Sequence, residues 1–298
     1  MELPSTNVYK IEDEAQLIQF ITSDRFAMQQ KLDGRRMIAV KTDKVRAYNK
    51  EHNPFNMPTL VERTLMELPG EPWLFDGELC GTDYHIFDVC EVHSQGMKRW
   101  DFDQRQLVLS SVMAQWSPEH LHKVQTWYEP KEKLFALLQL RNMRKEGVIF
   151  RPRTYSAYFK GAVHKFKFYN TVDCIVMNRR VEGKRAIEIA VLDDGDYHNL
   201  GKVKCEFDLQ DKMSTSQVVE VRYRKLSESG KLVEPVLVRL RDDKRAYLCT
   251  AEQLMGFGGE GIVQVDKSQQ RALALAAEHL GMEYTDALKL IDNTAETD

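Results

Sequence analysis

The sequence predicts an α+β protein in which antiparallel sheets with helices are followed by a small β-barrel and a short helical tail. Over the first 170 residues, segments with helical spacing alternate with strand-like segments, without the regular βαβ pattern of a parallel sheet. After about residue 170, five short strand-like runs follow one another, which is typical of a small barrel such as an OB-fold. We therefore expect domains at 1–170 and 171–265, and a helical tail at 266–298.

Four segments of the first domain predict helices. Apolar residues recur at helical spacing in EDEAQLIQFITS (12–23), and PTLVERTLMELPG (58–70) begins with Pro-Thr and ends with Pro-Gly. The other two predicted helices are FDQRQLVLSSVMAQW (102–116) and KEKLFALLQLRNMRK (131–145).

Two pairs of strands are predicted between these helices. FAMQQ (26–30) and RMIAVKTD (36–43) are expected to meet at a tight Asp33-Gly34 turn, which is a hairpin pattern. WLFDGELC and YHIFDVCE are expected to form a second hairpin, connected by Gly81-Thr82-Asp83.

The second domain is predicted from strand-like runs that are separated by turn residues such as Glu228-Ser229-Gly230. The stretch 218–245 carries eight Lys or Arg residues against five acids, so we expect a positively charged face there. In the tail, RALALAAEHLGM and TDALKLI predict two short amphipathic helices. The five predicted strands are TVDCIVMNRR, RAIEIAVLDD, GKVKCEF, VVEVRYRKLS and EPVLVRLR.

Composition favours an intracellular protein that is not attached to a membrane. The five cysteines are scattered without a CxxC pair, which argues against a disulfide framework or a zinc module. The chain has no run of 18 apolar residues and no basic N-terminal region followed by an apolar stretch, so we expect a cytoplasmic location. Because the net charge is only −3, any contact with nucleic acid must come from a local basic face.

Five short segments occur in a fixed order: KLDGRR (31–36), FDGEL (75–79), IFDV (86–89), EGVIFR (146–151) and HKFKF (164–168). A sixth, RDDK, follows at 241–244. In this order the chain resembles the covalent nucleotidyltransferase superfamily, and most closely its small ATP-dependent DNA ligases, over residues 25 to 245. The resemblance implies an adenylyltransferase domain followed by an OB-fold.

Lys31 is the catalytic residue that this resemblance implies, because the family uses this lysine to form a phosphoramide with AMP and expel pyrophosphate. An amine can attack phosphorus only when it is unprotonated. Asp33 and Gly34 are expected to form the turn that directs Lys31 into the cleft. Gln29 and Arg36 are expected in the same nucleotide site, with Arg36 on the sugar or phosphate side.

Three further segments are implied to complete the nucleotide site. Glu78 resembles the acid that binds the ribose hydroxyls or a metal-bound water, and Phe87 resembles the aromatic residue that stacks on adenine. Glu146 resembles a metal-site carboxylate, and together with Glu78 it suits Mg²⁺ or Mn²⁺. Lys165 and Lys167 alternate along a strand and therefore share one face, where an anionic triphosphate would separate their charges.

The remaining predicted residues concern pyrophosphate and DNA. Arg241 and Lys244 resemble the pair that orients the leaving pyrophosphate. Ligases often carry an arginine in a loop that reads like SRNG, but the corresponding stretch here is AYNKEHN, so Lys50 is the candidate replacement. The residues predicted to contact DNA are Lys50, Arg222, Arg224 and Lys225.

Together these features predict a monomeric, ATP-dependent DNA ligase that seals nicks in duplex DNA in a bacterial or phage-infected cell, where it works at the nucleoid. Two alternatives stay open. An RNA ligase would use the same five segments, although it often replaces the barrel with a helical domain. A capping-type guanylyltransferase shares all six segments and would bind GTP. An NAD-dependent ligase is disfavoured, because the sequence has no four-cysteine zinc site.

Overall fold

The computed structural model describes residues 3–5, 7–70, 72–92, 95–96, 100–116, 118–154, 163–182, 184–254 and 266–288. The chain forms two compact units. The first comprises Met1–Lys167 together with Ala272–Asp298, and the second comprises Phe168–Arg271.

Helices of the first unit form where the sequence predicts them, within a few residues at each end. The N-terminal cap of the first helix is Asp13, whose side chain accepts a hydrogen bond from the backbone N–H of Gln16 at 2.7 Å. The mixed α+β class is therefore confirmed. The helices are α1 (Glu14–Thr22), α2 (Thr59–Glu67), α3 (Phe102–Trp116) and α4 (Pro130–Asn142).

The strands of the first unit are β1 (Val8–Lys10), β2 (Phe26–Lys31), β3 (Arg35–Lys41), β4 (Val45–Tyr48), β5 (Pro54–Phe55), β6 (Trp73–Cys80), β7 (Asp83–Val92), β8 (Gln95–Gly96), β9 (Leu121–Lys123), β10 (Thr126–Trp127), β11 (Gly147–Pro152) and β12 (Val163–Lys167).

These strands form two sheets. The first sheet has the order β1-β12-β11-β2-β10, and the second has the order β5-β4-β3-β6-β7-β8, with β9 pairing with β7. Pairing is mostly antiparallel, as expected, but β1 with β12 and β7 with β9 are parallel. The predicted hairpin of β6 and β7 is present, with Cys80 opposite Asp83.

The hairpin predicted at Asp33-Gly34 is wrong. Both strands form, but β2 pairs with β10 and β11 whereas β3 pairs with β4 and β6. The turn therefore connects two different sheets. A tight turn signal shows where the chain reverses, but it does not show which strands become hydrogen-bonded, because pairing depends on distant partners.

Part of the hydrophobic core of the first unit lies between its helices and one face of each sheet, and a further buried cluster lies on the other face of the second sheet, formed by Ile38, Val40, Leu74 and Cys90. Val61 and Leu65 of α2 and Leu109 of α3 pack with Phe75 and Ile86 of the second sheet. On the first sheet, the ring of Phe20 in α1 stacks on Phe150 of β11 at 5.4 Å between ring centroids. Helices thus cover one face of each sheet.

The second unit contains a closed barrel with the strand order β13-β14-β15-β19-β16. Buried side chains from all around the barrel fill its interior, including Val172, Ile189, Val203 and Val221. The strands are β13 (Asn170–Asn178), β14 (Ala186–Asp193), β15 (Asp196–Lys204), β16 (Val218–Tyr223), β17 (Lys225–Leu226), β18 (Leu232–Val233) and β19 (Val236–Leu240).

Two predicted strand boundaries in this unit are wrong. GKVKCEF (201–207) forms only the end of β15, and its last residue begins the short helix α5 (Phe207–Lys212), which the sequence analysis missed. VVEVRYRKLS breaks at Arg224, so that its last part forms β17 and pairs with β18.

The predicted tail contains helix α6 (Lys267–His279), and residues 284–288 are also helical. The second predicted tail helix, at 285–291, continues past residue 288 and so lies partly outside the described residues. Among the residues that the structure describes, no helix is both long and apolar enough to span a membrane.

Candidate functional site

Lys31 lies at one end of the first sheet, where three strands pack closely. It is the last residue of β2 and is opposite Gly147 of β11, which is in turn opposite Lys167 of β12. A Cβ atom at position 147 would lie 2.0 Å from the carbonyl oxygen of Phe166, so only glycine fits there. The register places Glu146, the residue before Gly147, between the two lysines.

Glu146 binds both lysines. Its Oε2 atom is 2.6 Å from the Nζ of Lys31, and its Oε1 atom is 3.2 Å from the Nζ of Lys167. The Glu146 side chain is only 5% exposed, so these ion pairs are poorly screened by solvent. Two ammonium groups with one carboxylate leave a net positive charge, which favours an anionic ligand.

Lys165 lies on the same side of β12 as Lys167, as the alternation of HKFKF predicts. It lines the cavity between the two sheets of the first unit. Phe166 points to the opposite face and is buried.

Arg36 and Glu78 face the cavity from the second sheet, where they are directly opposite each other on β3 and β6. The guanidinium group of Arg36 makes a two-point ion pair with Asp76, with Nε donating to Oδ1 at 2.9 Å and Nη2 donating to Oδ2 at 2.6 Å. This pairing fixes the orientation of Arg36 and neutralises its charge.

Glu78 is the cavity carboxyl group with the most perturbed protonation. Burial raises the pKa of Glu78 to about 7, and the negative charges of Glu146 and Asp76 also raise it, whereas the positive charge of Lys31 lowers it. A carboxyl group that titrates near neutral pH inside a cavity is typical of a functional site.

Phe87 lines the cavity from β7 and is half-buried. The guanidinium carbon of Arg151 lies 4.6 Å from the centre of the Phe87 ring, and the Nε of Arg151 donates to the Oε1 of Gln29 at 2.8 Å. The Nε2 of Gln29 donates to the Phe87 carbonyl oxygen at 3.2 Å and to the Thr126 hydroxyl at 3.0 Å. Gln29 is therefore held in one orientation.

Gly34 is required for space rather than for an unusual backbone conformation. A Cβ atom at this position would lie 2.4 Å from the carbonyl oxygen of Leu79 and 2.8 Å from the sulfur of Cys80. The turn that leads from Lys31 into the second sheet thus passes directly against β6. Asp33 is exposed beside it.

Six of the predicted residues line one cavity between the two sheets of the first unit: Gln29, Lys31, Arg36, Glu78, Phe87 and Lys165. Asp76 and Arg151 line it too, although neither was predicted from the sequence to belong to the site. Asp76 precedes Glu78 by two residues on β6. Because side chains alternate between the two faces of a strand, both point to the same face, and this pattern could have identified Asp76. Arg151 is the last residue of the EGVIFR segment, and its charge was the only sequence feature that could have indicated a role in the cavity.

Other predicted residues are not among those that line this cavity. Lys50 is in a turn after β4, has a 71% exposed side chain and pairs with Glu51 at 3.4 Å. Arg241 and Lys244 belong to the second unit, where both bind the buried carboxylate of Asp173. The Nη1 of Arg241 lies 2.9 Å from Asp173 Oδ1, and the Nζ of Lys244 lies 2.7 Å from Asp173 Oδ2.

The predicted DNA contacts of the second unit differ in exposure. Lys225 is exposed. Arg222 lies over the ring of Tyr169, with 4.7 Å from its guanidinium carbon to the ring centre, and is 3.8 Å from Asp266. The Arg224 side chain is only 12% exposed and is 3.5 Å from Glu234. Both arginines are therefore engaged within their own unit.

The carboxylates of the cavity suit a divalent cation only together with a ligand. Among the described residues, no group of three or more His, Cys, Asp or Glu side chains could enclose a metal ion. Mg²⁺ commonly uses one or two carboxylates plus water and substrate phosphates. Glu78 and Glu146 fit that donor set, because two carboxylates leave the remaining positions around the ion to water and phosphate oxygens.

Comparison with known proteins identifies the fold. No protein-family model and no curated protein sequence matches the chain. Among solved structures, one described as Pmar-Lig_Pre has a TM-score of 0.62 and 19% identity, covering 80% of this chain and 68% of that chain. A structure of the Lig E DNA ligases, described as binding DNA with a minimal scaffold, has a TM-score of 0.60 and 15% identity, covering 81% of this chain and 100% of that chain. The resemblance to DNA ligases is confirmed at the level of the fold.

Proposed function

We propose that this protein is an ATP-dependent DNA ligase that seals nicks in duplex DNA as a monomer. The observation that carries the proposal is the position of Lys31, which opens onto a cavity lined by Glu78, Phe87 and Lys165 and contacts Glu146. Residues from all five sequence segments line this cavity or contact Lys31. The description of the similar Lig E structure as a DNA-binding ligase supports the same function.

In the first reaction the Nζ of Lys31 forms a bond to the α-phosphorus of ATP, while the bond from that phosphorus to the leaving pyrophosphate breaks. The ammonium group must lose a proton before it can attack. The Oε2 atom of Glu146 lies 2.6 Å from the Nζ of Lys31 and is placed to accept this proton. Alternatively, the ion pair with Glu146 breaks when ATP binds, which frees the amine of Lys31.

AMP then passes from Lys31 to the 5′-phosphate of the nick, and pyrophosphate is absent from this and the following step. Attack by the 3′-hydroxyl on the activated 5′-phosphate seals the strand and releases AMP. Since these transfers exchange one phosphorus bond for another, the protein contributes mainly by positioning and charge neutralisation.

The cavity offers a separate environment to each part of the nucleotide. Phe87 can stack on the base, an interaction of about 1–3 kcal/mol, beside the fixed amide of Gln29. Arg36 and Glu78 are the residues that would contact the ribose. Lys165 and Lys167 supply positive charge that would bind the phosphates. Glu78 and Glu146 would hold Mg²⁺ or Mn²⁺, which would neutralise phosphate charge.

We further propose that the barrel of the second unit is an OB-fold that contacts DNA. Its strand order, in which the fifth strand lies between the third and the fourth, supports this assignment. Lys225 is exposed for backbone contacts, and Lys50 of the first unit is exposed as well. Arg222 and Arg224 could bind DNA only by leaving Asp266 and Glu234.

Incubation with α-labelled ATP tests the proposal directly. The wild-type protein should acquire an acid-labile label, and Lys31→Ala should lose it while remaining folded. Lys44→Ala is the matched control, because Lys44 is an exposed lysine in the turn after β3 and should label normally. Undiminished labelling of Lys31→Ala would show that Lys31 is not the nucleophile.

Labelling and sealing assays also identify which nucleotide the protein uses and which type of strand it joins. Labelling by GTP in preference to ATP would favour a capping-type guanylyltransferase. Sealing of nicked duplexes that contain RNA strands, with no sealing of all-DNA nicks, would favour an RNA ligase. We expect labelling by ATP and sealing of all-DNA nicks.

A further inference from the structure

The segment 3–10, of which residues 3–5 and 7–10 are described, contacts both sheets of the first unit, and we call it the strap. Its second half is β1, an edge strand that pairs in parallel with β12, where Val8 is opposite Val163. The N–H of Ile11 extends this pairing by donating to the carbonyl oxygen of Lys165 at 2.9 Å. One end of the strap is thus fixed to the edge of the first sheet, and its Val8 lines the cavity.

The other end of the strap lies on the second sheet. Leu3 packs against the buried cluster of Ile38, Val40, Leu74 and Cys90. Ile38 and Val40 share one face of β3 with Arg36, because side chains two residues apart on a strand point the same way. Since Arg36 lines the cavity, Leu3 covers the part of this face that continues beyond the cavity.

Pro4 adds a polar contact between the strap and the second sheet. Its carbonyl oxygen lies 3.4 Å from the Nη2 of Arg36 and 3.1 Å from the Nε2 of His52, which belongs to the turn between β4 and β5. A carbonyl oxygen can only accept hydrogen bonds, so both side chains donate to it. Arg36 is therefore held by the strap as well as by the carboxylate of Asp76.

The reach of the chain places the strap along one side of the cavity. Four residues span at most about 14 Å, so Pro4 on the second sheet and Val8 on the first sheet are no further apart than that. Val8 lines the cavity, and so does Arg36, which contacts Pro4. The strap lies outside the five sequence segments, and its contacts were not predicted from the sequence.

We propose that the strap forms one wall of the nucleotide site and positions Arg36 for contact with the ribose of ATP. The inference rests on the proposed ligase function and adds a binding segment to it. An apolar wall at Val8 excludes water from the bound nucleotide, and the Pro4 carbonyl limits the movement of Arg36. Because coupling between two binding events is reciprocal, ATP should hold the strap in place as much as the strap helps to hold ATP.

Leu3→Asp tests this role, because a carboxylate cannot stay against the apolar cluster without a large desolvation cost and should release this end of the strap. The ATP concentration that gives half the maximal labelling rate should rise about tenfold, the effect of losing one partly buried leucine contact. The maximal labelling rate should be unchanged, as should sealing of a nick whose 5′ end already carries AMP. A change confined to the ATP concentration separates a binding role from general damage to the fold.

Ser5→Asp is the matched control, since it adds the same charge at an exposed position of the strap and should leave the half-maximal ATP concentration unchanged. His52→Asn is a second variant, which leaves the sequence of the strap intact. His52 has a left-handed backbone with a φ of 63°, which asparagine tolerates, but the asparagine side chain is too short to reach Pro4. The half-maximal ATP concentration should rise about threefold, as expected for the loss of one hydrogen bond.

Limited digestion with trypsin measures the strap directly. Lys10 is an exposed residue of β1, and cleavage after it requires β1 to separate from β12. The probe is an ATP analogue that carries a methylene group between its α- and β-phosphorus atoms and therefore cannot release pyrophosphate. The analogue should slow cleavage after Lys10 in the wild-type protein, and much less so in Leu3→Asp. Cleavage after Lys184, an exposed residue of the second unit, is the internal reference and should not respond.

Several outcomes would overturn the proposal while a wild-type protein that labels and seals leaves the ligase function standing. One is an unchanged half-maximal ATP concentration in both variants, or cleavage after Lys10 that ignores the analogue. Another is a lower half-maximal concentration, which would show that the strap obstructs the cavity. Loss of both labelling and sealing in Leu3→Asp would show that the strap only stabilises the fold.

The two variants also separate the two parts of the proposal. A rise in the half-maximal ATP concentration for Leu3→Asp alone would support the wall and reject the positioning of Arg36 through Pro4. Failure of the wild-type protein to label with ATP and to bind the analogue would reject the ligase function itself, and the role of the strap with it.

Discussion

Glu78 faces Lys31 across the cavity with a carboxyl group that titrates near neutral pH. Burial raises its pKa to about 7 from an ordinary value of 4.5. Folding therefore binds a proton to Glu78 more strongly than the unfolded chain does. The resulting stability is fully present below pH 4.5 and is lost as the pH rises through about 7.

Glu78→Gln should reverse this loss, because glutamine keeps the shape of the neutral acid without its ionisation. We expect the melting temperatures of variant and wild type to agree at pH 5, and the variant to melt higher at pH 8. Labelling by ATP should fall in the variant at both pH values. Glu62→Gln, at an exposed position on α2, is the control and should show no such pH dependence. Equal melting of wild type and Glu78→Gln at pH 8 would contradict the raised pKa.

Single residues were predictable where a short segment carried their chemistry. KLDGRR and HKFKF indicated Lys31 and Lys165, and both reach the cavity. Arg151 was not predictable, because its hydrogen bond to Gln29 joins residues 122 positions apart in the chain. The amide of Gln29 is oriented by Phe87 and Thr126, which are 58 and 97 positions away. The Asp76 partner of Arg36 is likewise visible only across two strands.

At the scale of elements, a buried lysine of α4 connects this helix to the end of α1 and to the first residue of β2. Lys133 is fully buried, and its ammonium group donates to the carbonyl oxygens of Phe20, Ser23 and Phe26, the last at 2.9 Å. Two of these carbonyls end α1, where the last turn lacks partners within the helix. The third belongs to the first residue of β2, the strand that carries Lys31.

Lys133→Met should destabilise the protein by about 2–4 kcal/mol, because methionine fills the space but removes the ammonium group that donates to one buried and two partly buried carbonyl groups. Chemical denaturation measures this change. Lys131→Met, at an exposed position on the same helix, should change the free energy of unfolding by less than about 0.5 kcal/mol. Well below its melting temperature, Lys133→Met should still label with ATP. A variant as stable as wild type would show that water satisfies these carbonyls.

Elements were predictable where local pattern decides them, as for α1 and the hairpin of β6 and β7. The interpretation of Asp33-Gly34 as a hairpin was wrong because the same turn chemistry serves both a hairpin and a connection between sheets. Helix α5 was missed because six residues after a strand carry too little periodicity to be distinguished from its continuation.

At the scale of the whole molecule, the pair predicted to orient pyrophosphate is built into the second unit. Asp173 is 1% exposed and accepts ion pairs from Arg241 and Lys244, and Arg241 also makes a two-point pair with Asp243. Both cations are thus neutralised within this unit. To act on pyrophosphate they would have to exchange these carboxylates for phosphate oxygens.

Arg241→Ala should separate the reaction steps, since only the first step has a pyrophosphate leaving group. Labelling by ATP should slow by about tenfold or more, the range expected for loss of one charge-stabilising group. Sealing of a nick whose 5′ end already carries AMP should be nearly unchanged. Arg239→Ala is the control, because Arg239 lies two residues before Arg241, near the end of β19, with a 53% exposed side chain that pairs with Glu220. Equal loss of both activities, or a lower melting temperature of Arg241→Ala, would favour a purely structural role with Asp173.

By itself, the sequence determined the α+β class, most element positions and several of the residues that line the cavity, because periodicity and short charged segments are local properties of the chain. Only the tertiary structure decided that β2 and β3 belong to different sheets, and this opens the cavity between them. It also decided that Glu146 pairs with two lysines. Such contacts depend on strand register and burial, which are set by packing between distant segments and leave little trace in any one of them.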